Sequence, residues 1–393
     1  MKLFKKNNIL LIYFLYLIVG IIIYSILQAN EFPQKYVFTE WLINYEGGFV
    51  RRGLLGEIVF KISNILNIDI RFLIIFFQII AYLIYFALFY LQFSKINQNF
   101  FWLLIIFSPI LFAYPLIELM ILGRKDIFVI TLFLIFSIIN YKNLNNLYFC
   151  FIFFFGVSTF IHEITFFYIF HYLLVVYIYN KLIFKNEIKK IHIFGLFIFL
   201  LFLLYPNWYL HRFVQIEDIV NSYDYNNITI YSGAISHLKP SFDTVLHGTL
   251  SQIKFINLIK YFGIFILNSF PFLFFIKFKN IKYFSTINIF LLFFVLSLPI
   301  YALVLDWGRV IYINYNFFII LILFYFKLNL VDLRYLDKRL KKLNLKLKIV
   351  IFIFVCLLFS PDILGINPIE YFPLLNQILR FSGGIFEKIN EVF

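Results

Sequence analysis

The chain has 393 residues, of which 63% are hydrophobic, 23% aromatic and only 14% charged, with a formal net charge of +14. Soluble domains are about half apolar and about one quarter charged, so this composition excludes a soluble globular domain, a disordered chain and a disulfide scaffold. Repeated apolar runs point instead to a single all-α domain, 1–393, built as a polytopic helical bundle in a bilayer.

A helix needs about 20 apolar residues to cross the hydrocarbon, and cutting the chain where charge, Pro, Gly or Asn interrupts such runs gives about 11 transmembrane segments. They are expected near 8–28, 72–93, 100–122, 127–140, 147–161, 164–180, 191–206, 256–276, 284–305, 309–326 and 349–364. The first is read as a retained span, because its apolar core is too long for a signal peptide and Leu27-Gln28-Ala29-Asn30 is a poor cleavage site. With the N-terminus inside, 20 of the 34 basic residues fall in short cytoplasmic segments and 17 of the 20 acids fall outside. Lys and Arg collect on the cytoplasmic side of span ends, so the positive charge reports topology and not a nucleic-acid surface. The same rule makes 147–180 a hairpin, since one helix there would send Lys181, Lys185, Lys189 and Lys190 outside.

Four charged motifs and two long outer loops, 29–71 and 207–255, then emerge on one side. In the first loop, Tyr45-Glu46-Gly47-Gly48-Phe49-Val50-Arg51-Arg52-Gly53-Leu54-Leu55-Gly56-Glu57 gathers four of the chain's 15 glycines with two arginines and two acids. Glycines allow close backbone approach, and paired guanidinium forks suit diphosphate oxygens, while Glu46 is placed to deprotonate a sugar hydroxyl. The plain structural alternative is an interfacial helix whose arginines hold lipid headgroups. Gly123-Arg124-Lys125-Asp126 follows, a charged turn between apolar runs. Charges at membrane depth are expensive unless they pair or line a wet cavity, so Arg124 and Lys125 are candidate phosphate ligands with Asp126 orienting them.

His162-Glu163 interrupts two runs almost free of other polar groups, and both are candidate acid–base residues. It is not a zinc-protease motif, because Phe166 stands where the second His is required. The loop of 207–255 adds His211, Arg212, Glu217, Asp218, Asp224, His237, Asp243 and His247 among aromatic residues that include Trp208, Tyr209, Tyr223, Tyr225 and Tyr231, a composition suited to a glycan. Asn227-Ile228-Thr229 matches a glycosylation acceptor pattern. Asp306-Trp307-Gly308-Arg309 follows at a span junction, where Asp306 and Arg309 either clamp the structure or offer Arg309 to an anion. The segment 327–348 alternates leucine with basic residues, as a basic amphipathic helix on an anionic leaflet does. The sequence carries no phosphate-binding Gly loop, dinucleotide fingerprint, Ser nucleophile elbow or CxxC pair, and no metal set is assigned.

The set EGGFVRRGLLG at 46–56, GRKD at 123–126, HE at 162–163 and DWGR at 306–309, with these spans and loops, resembles the bacterial envelope-glycan membrane enzymes, in particular O-antigen or capsular repeat-unit polymerases of the Wzy type. That resemblance implies a GT-C-like membrane fold in the bacterial inner membrane, with the N-terminus cytoplasmic and the active site facing the periplasm. It implies glycosyl transfer from an undecaprenyl-diphosphate-linked glycan in lipopolysaccharide or capsule synthesis, without a cofactor, beside membrane lipid, a chain-length regulator or other glycan-assembly proteins. By the same analogy Arg51, Arg52, Arg124 and Arg309 grip the diphosphate, and Glu46 or His162 activates the acceptor. The spaced Arg-to-Gly signature of some such polymerases is absent. GT-C glycosyltransferases, which use a polyprenyl-phosphate donor and often a divalent cation, are the close alternative; Glu46, Glu57 and Asp126 are the oxygen ligands on offer for one. A lipid-linked glycan flippase is the alternative from another class, disfavoured by the gathering of motifs at one set of span ends.

Overall fold

A computed structural model of the chain describes residues 6–29, 32, 36–96, 99–185, 190–223, 233–235, 238, 254–279, 286–304, 306–362 and 369–373. The described residues are overwhelmingly helical, and seven helices are long and apolar enough to cross a membrane: Asn8–Gln28, Ile70–Phe93, Leu144–Ile161, Glu163–Ile183, Gly195–Phe213, Phe255–Phe275 and Trp307–Lys327. The protein is therefore a polytopic helical membrane protein. Where the sequence reads as one domain, the helices fall into two compact units, residues 1–21, 90–122 and 245–393 in the first and 22–89 and 123–244 in the second.

Several expected spans take a different form. The run 100–122 is not one helix but three pieces, α5 Phe100–Ile106, α6 Tyr114–Ile117 and α7 Leu119–Leu122. Two prolines account for it: Ser108 precedes Pro109 and so disfavours helix, and Pro115 is tolerated only in the first turn of α6. The run 127–140 forms α8 Asp126–Ile138, shorter than a full crossing. The last apolar run starts as α17 Leu345–Phe352, passes through one π-helical turn and ends in a two-stranded antiparallel ribbon of β1 Phe359–Pro361 and β2 Ile369–Tyr371, a small departure from an all-α chain.

The first unit is organised around α15 Trp307–Lys327, which is buried along nearly its whole length. An encircled helix has no polar face to give to solvent, so its polar side chains bond internally: Asn314 Nδ2 reaches Ser297 Oγ at 3.1 Å, and Asn316 Nδ2 bonds back to the Tyr312 carbonyl at 2.9 Å. Around it stand α13 Phe255–Phe275 and α14 Thr286–Leu303.

The second unit positions three of the four charged motifs. After the first long helix, α1 Lys6–Gln28, come α2 Tyr36–Trp41, α3 Gly53–Leu66 and α4 Ile70–Phe93. In α3 the buried residues Gly56, Val59, Phe60 and Ser63 recur at helical spacing and form its inward stripe. Gly56 permits the contact: a Cβ there would run into the backbone carbonyl of Ile43, with the Trp41 carbonyl 2.6 Å away. The chain after residue 213, which forms α12 Ile216–Asn221, folds back on this loop, with Gln215 N–H bonded to the Gly47 carbonyl at 2.8 Å and Asn44 Nδ2 to Ser222 Oγ at 2.8 Å. Helices α9 Leu144–Ile161 and α10 Ile169–Ile178 form the expected hairpin. Tyr172 packs on Phe155 at 5.3 Å, and its hydroxyl lies 3.2 Å from Ser158 Oγ. Of the candidate residues, Asp224, His237, Asp243, His247, Tyr225, Tyr231 and the Asn227–Thr229 acceptor lie outside the described residues.

Backbone crowding makes Gly56→Ala destabilising by about 2–4 kcal/mol, in the range set by core overpacking and strain. By contrast Gly195→Ala in α11 Lys190–Leu204 meets nothing within 4 Å and should gain about 0.5–1 kcal/mol from helix propensity. Thermal unfolding of the two variants in one detergent is the check, and equal midpoints would contradict the close approach.

Candidate functional site: a buried charge cluster

Three motifs far apart in sequence meet in the second unit. Arg52, the residue before α3, has φ 65° and ψ 6°, the left-handed conformation that costs a bulky L-residue about 1 kcal/mol or more. That geometry turns its side chain onto Glu163. Arg52 Nε donates to both carboxylate oxygens at 2.7 Å, and Nη2 donates to Oε1 at 2.5 Å. Its Nη1 also lies 3.9 Å from Glu40 Oε1.

Glu163 reaches this place because the helix of 144–161 stops two residues earlier. His162 is extended, at φ −156° and ψ 121°, and caps the next turn: its Nδ1 accepts the Ile164 N–H at 3.2 Å. Its Nε2 faces Glu40 Oε1 at 3.4 Å and Asp126 Oδ1 at 3.9 Å. Nδ1 also lies 3.3 Å from Glu163 Oε2. Asp126 opens α8, and the turn before it contributes the two remaining cations. Lys125, fully buried, donates from Nζ to the Arg52 carbonyl at 2.7 Å, while the Arg124 guanidinium stacks 4.6 Å over the Tyr36 ring. Gly123 anchors the turn, its carbonyl accepting Trp41 Nε1 at 2.7 Å and Gln78 Nε2 at 3.0 Å.

The result is three carboxylates, Glu40, Asp126 and Glu163, facing the basic side chains of Arg51, Arg52 and Lys125 and the imidazole of His162 at the ends of apolar helices. Burial works against each charge, and the partners decide which keep it. Arg52 is desolvated, but the pull of Glu163 outweighs that, and its pKa is raised. Lys125 is lowered from 10.5 to about 7, because burial is stronger than the attraction of Glu40 and the Arg52 charge opposes it. Arg51 is lowered by burial, with Glu163 offsetting part of the loss.

Arg51 differs from its neighbour. Its side chain is 24% exposed and approaches Glu163 only to 3.9 Å, and its buried Nε has no hydrogen-bond partner among the described residues. His211 lies within reach of the charges of Arg51, Glu163 and Arg52, and its ring bonds to the Leu238 backbone. Where 191–206 was the expected span, the apolar run continues to Phe213 through a π-helical turn at Tyr205–Tyr209, which puts His211 at a helix end. Arg212 beside it is exposed.

Glu46 does not join the cluster. It is half-exposed and bonds to Lys61 Nζ at 2.6 Å, and Lys61 also pairs with Glu57 at 3.5 Å. The trio Glu46, Glu57 and Asp126 is thus not assembled, and among the described residues no three His, Cys, Asp or Glu side chains are placed to share a metal ion. Asp306 and Arg309 belong to the first unit, where Arg309 Nη1 meets Asp306 Oδ2 at 3.2 Å. Glu40 is the residue that sequence reasoning missed: a carboxylate with no exposed surface, at the end of α2, facing Arg52 and His162. An acid inside the apolar stretch Tyr36-Val37-Phe38-Thr39-Glu40-Trp41-Leu42 was the available signal.

No protein-family model matches the chain, and neither a curated protein nor a solved structure matches it.

The two adjacent arginines should separate in stability. Arg52→Ala strands Glu163 and should cost about 3–5 kcal/mol, whereas Arg51→Ala should cost under about 1 kcal/mol. Unfolding of the two variants in detergent measures the difference, and equal losses would refute the division. Lys125 gives a pH signature. Its folded pKa lies below its unfolded one, so between about pH 7 and 10.5 the unfolded chain holds the extra proton and stability rises with pH. Lys125→Met should lose that rise, read from unfolding midpoints across the window.

Proposed function

We propose that this chain is a membrane glycosyltransferase that joins polyprenyl-diphosphate-linked oligosaccharide repeat units. In this reading it sits in the inner membrane of a bacterium, with the charge cluster facing the periplasm. The observation that carries the reading is Arg51, a guanidinium beside a committed ion pair, with a buried N–H that bonds to nothing among the described residues. An anionic oxygen of a ligand supplies what that N–H lacks, and the planar fork of arginine matches a phosphate bidentately. His211, whose ring bonds to the Leu238 backbone, stands beside Arg51 and borders the same place.

Binding selectivity then needs only the headgroup. A polyprenyl chain contributes about 0.8 kcal/mol for each methylene it buries, so affinity comes from the lipid and discrimination from diphosphate and sugar. Deprotonation of the acceptor hydroxyl falls to the carboxylates around His162, with Glu163 the most accessible of them. Arg52 in this scheme is a positioning residue that holds Glu163, and Arg124, stacked on Tyr36, supports the turn.

A second reading, transfer of a single sugar from a polyprenyl phosphate by a GT-C enzyme, is favoured by Glu40. An acid in the segment after the first long helix, set against His162, is a candidate for the catalytic carboxylate that such enzymes carry in their first outer loop. The test is the size distribution of surface glycan in the native host after deletion of this chain, with complementation by wild type and by Arg51→Ala. The polymerase predicts collapse of the ladder to one repeat, restored by wild type and reduced about 100-fold or more with Arg51→Ala at normal abundance, the scale of losing one transition-state donor. An intact ladder lacking one side sugar favours the second reading, and full rescue by Arg51→Ala removes the diphosphate role.

A further inference from the structure

The first unit carries a second charged feature, unrelated to the cluster. Helices α13 and α15 end close together. An isolated antiparallel bridge joins Phe278 to Val331, Lys279 N–H bonds to the Leu330 carbonyl at 2.7 Å, and Asp332 N–H bonds to the Lys277 carbonyl at 2.8 Å. From that clasp the short helix α16 Leu333–Lys341 starts, with Asp332 capping the Tyr335 N–H at 3.1 Å.

Its inner and outer faces are chemically distinct. Leu336 and Leu340 are buried, and Arg339 packs inward, stacked 4.8 Å over Phe274 and bonded through Nε to the Tyr335 hydroxyl at 2.9 Å. The outer face is left to Arg334, Lys338, Lys341 and Lys342, all exposed, with Asp337 the one acid among them; together they line an open depression. The chain then re-enters an apolar helix at α17, where Leu345 and Leu347 are exposed beside Lys346 and Lys348. A basic helix tethered where two spanning helices end, and followed at once by another apolar helix, lies where lipid headgroups lie.

We propose that the outer face of α16 is a binding surface for the headgroups of anionic phospholipid. Opposite charge is the recognition element: four exposed cations and one anion at the surface level favour phosphate-bearing, net-negative lipids over zwitterionic ones, at about a fivefold gain for each basic residue near the membrane. Arg339 is excluded from the set because it serves the packing.

The full chain is purified in detergent, exchanged into nanodiscs of phosphatidylcholine with or without phosphatidylglycerol, and its retained lipid is counted by native mass spectrometry. Wild type should retain phosphatidylglycerol selectively, and less of it at high salt. Lys338→Gln should weaken that retention roughly fivefold, Lys338→Arg should keep it, and Asp337→Asn, which leaves every inward contact in place, should strengthen it roughly fivefold. Equal retention of both lipids, or retention unmoved by Lys338→Gln and Asp337→Asn, overturns the proposal. So does preference for an acidic polypeptide such as polyglutamate over phosphatidylglycerol vesicles.

Discussion

The second unit depends on one buried ion pair, that between Arg52 and Glu163. Two charges taken out of water cost several kcal/mol each, and only close, multiply bonded contact recovers it. Arg52 meets that demand with three short hydrogen bonds to a single carboxylate across 111 residues of sequence. The other features of the cluster follow from making that contact available. The helix of 144–161 must stop so that Glu163 faces inward, His162 caps the turn that results, and Lys125 holds the Arg52 carbonyl.

The pair also divides the labour of two neighbouring arginines. Arg52 is committed to Glu163 through Nε and Nη2, which fixes the position of its guanidinium. Arg51, one residue earlier, stands beside the pair with a guanidinium that the described residues do not satisfy. A fixed anion–cation pair thus stands next to a cation whose buried Nε has no partner among the described residues.

Much of this was legible in the chain itself, and the remainder was not for identifiable reasons. The membrane class and the hairpin around 162 follow from run lengths and lysine placement, because bilayer thickness and backbone satisfaction leave few choices. The break after Ile161 is visible as a charged pair between two apolar runs. The run 100–122 misleads because hydropathy ignores backbone: Pro109 and Pro115 do not lower its apolar content, but they stop the helix. Glu40 is hidden because one acid in an apolar segment reads equally as a loop boundary, whereas Glu46, beside the glycines, pairs with Lys61 outside the cluster. The pairing of Arg52 with Glu163 is a tertiary fact with no local trace, and the different fates of Arg51 and Arg52 depend on a backbone angle that two identical letters conceal.

The left-handed backbone of Arg52 has a consequence for evolution and for protein engineering. Glycine and asparagine are the residues that best tolerate φ 65°. Either would relax the main chain while leaving Glu163 buried beside a missing cation, so local comfort and electrostatic balance pull in opposite directions at this position. A search that scores backbone preference would mark residue 52 for replacement, and a library filtered that way would discard the side chain on which the cluster is built. Arginine stands there against its own conformational preference, opposite a carboxylate that needs its charge.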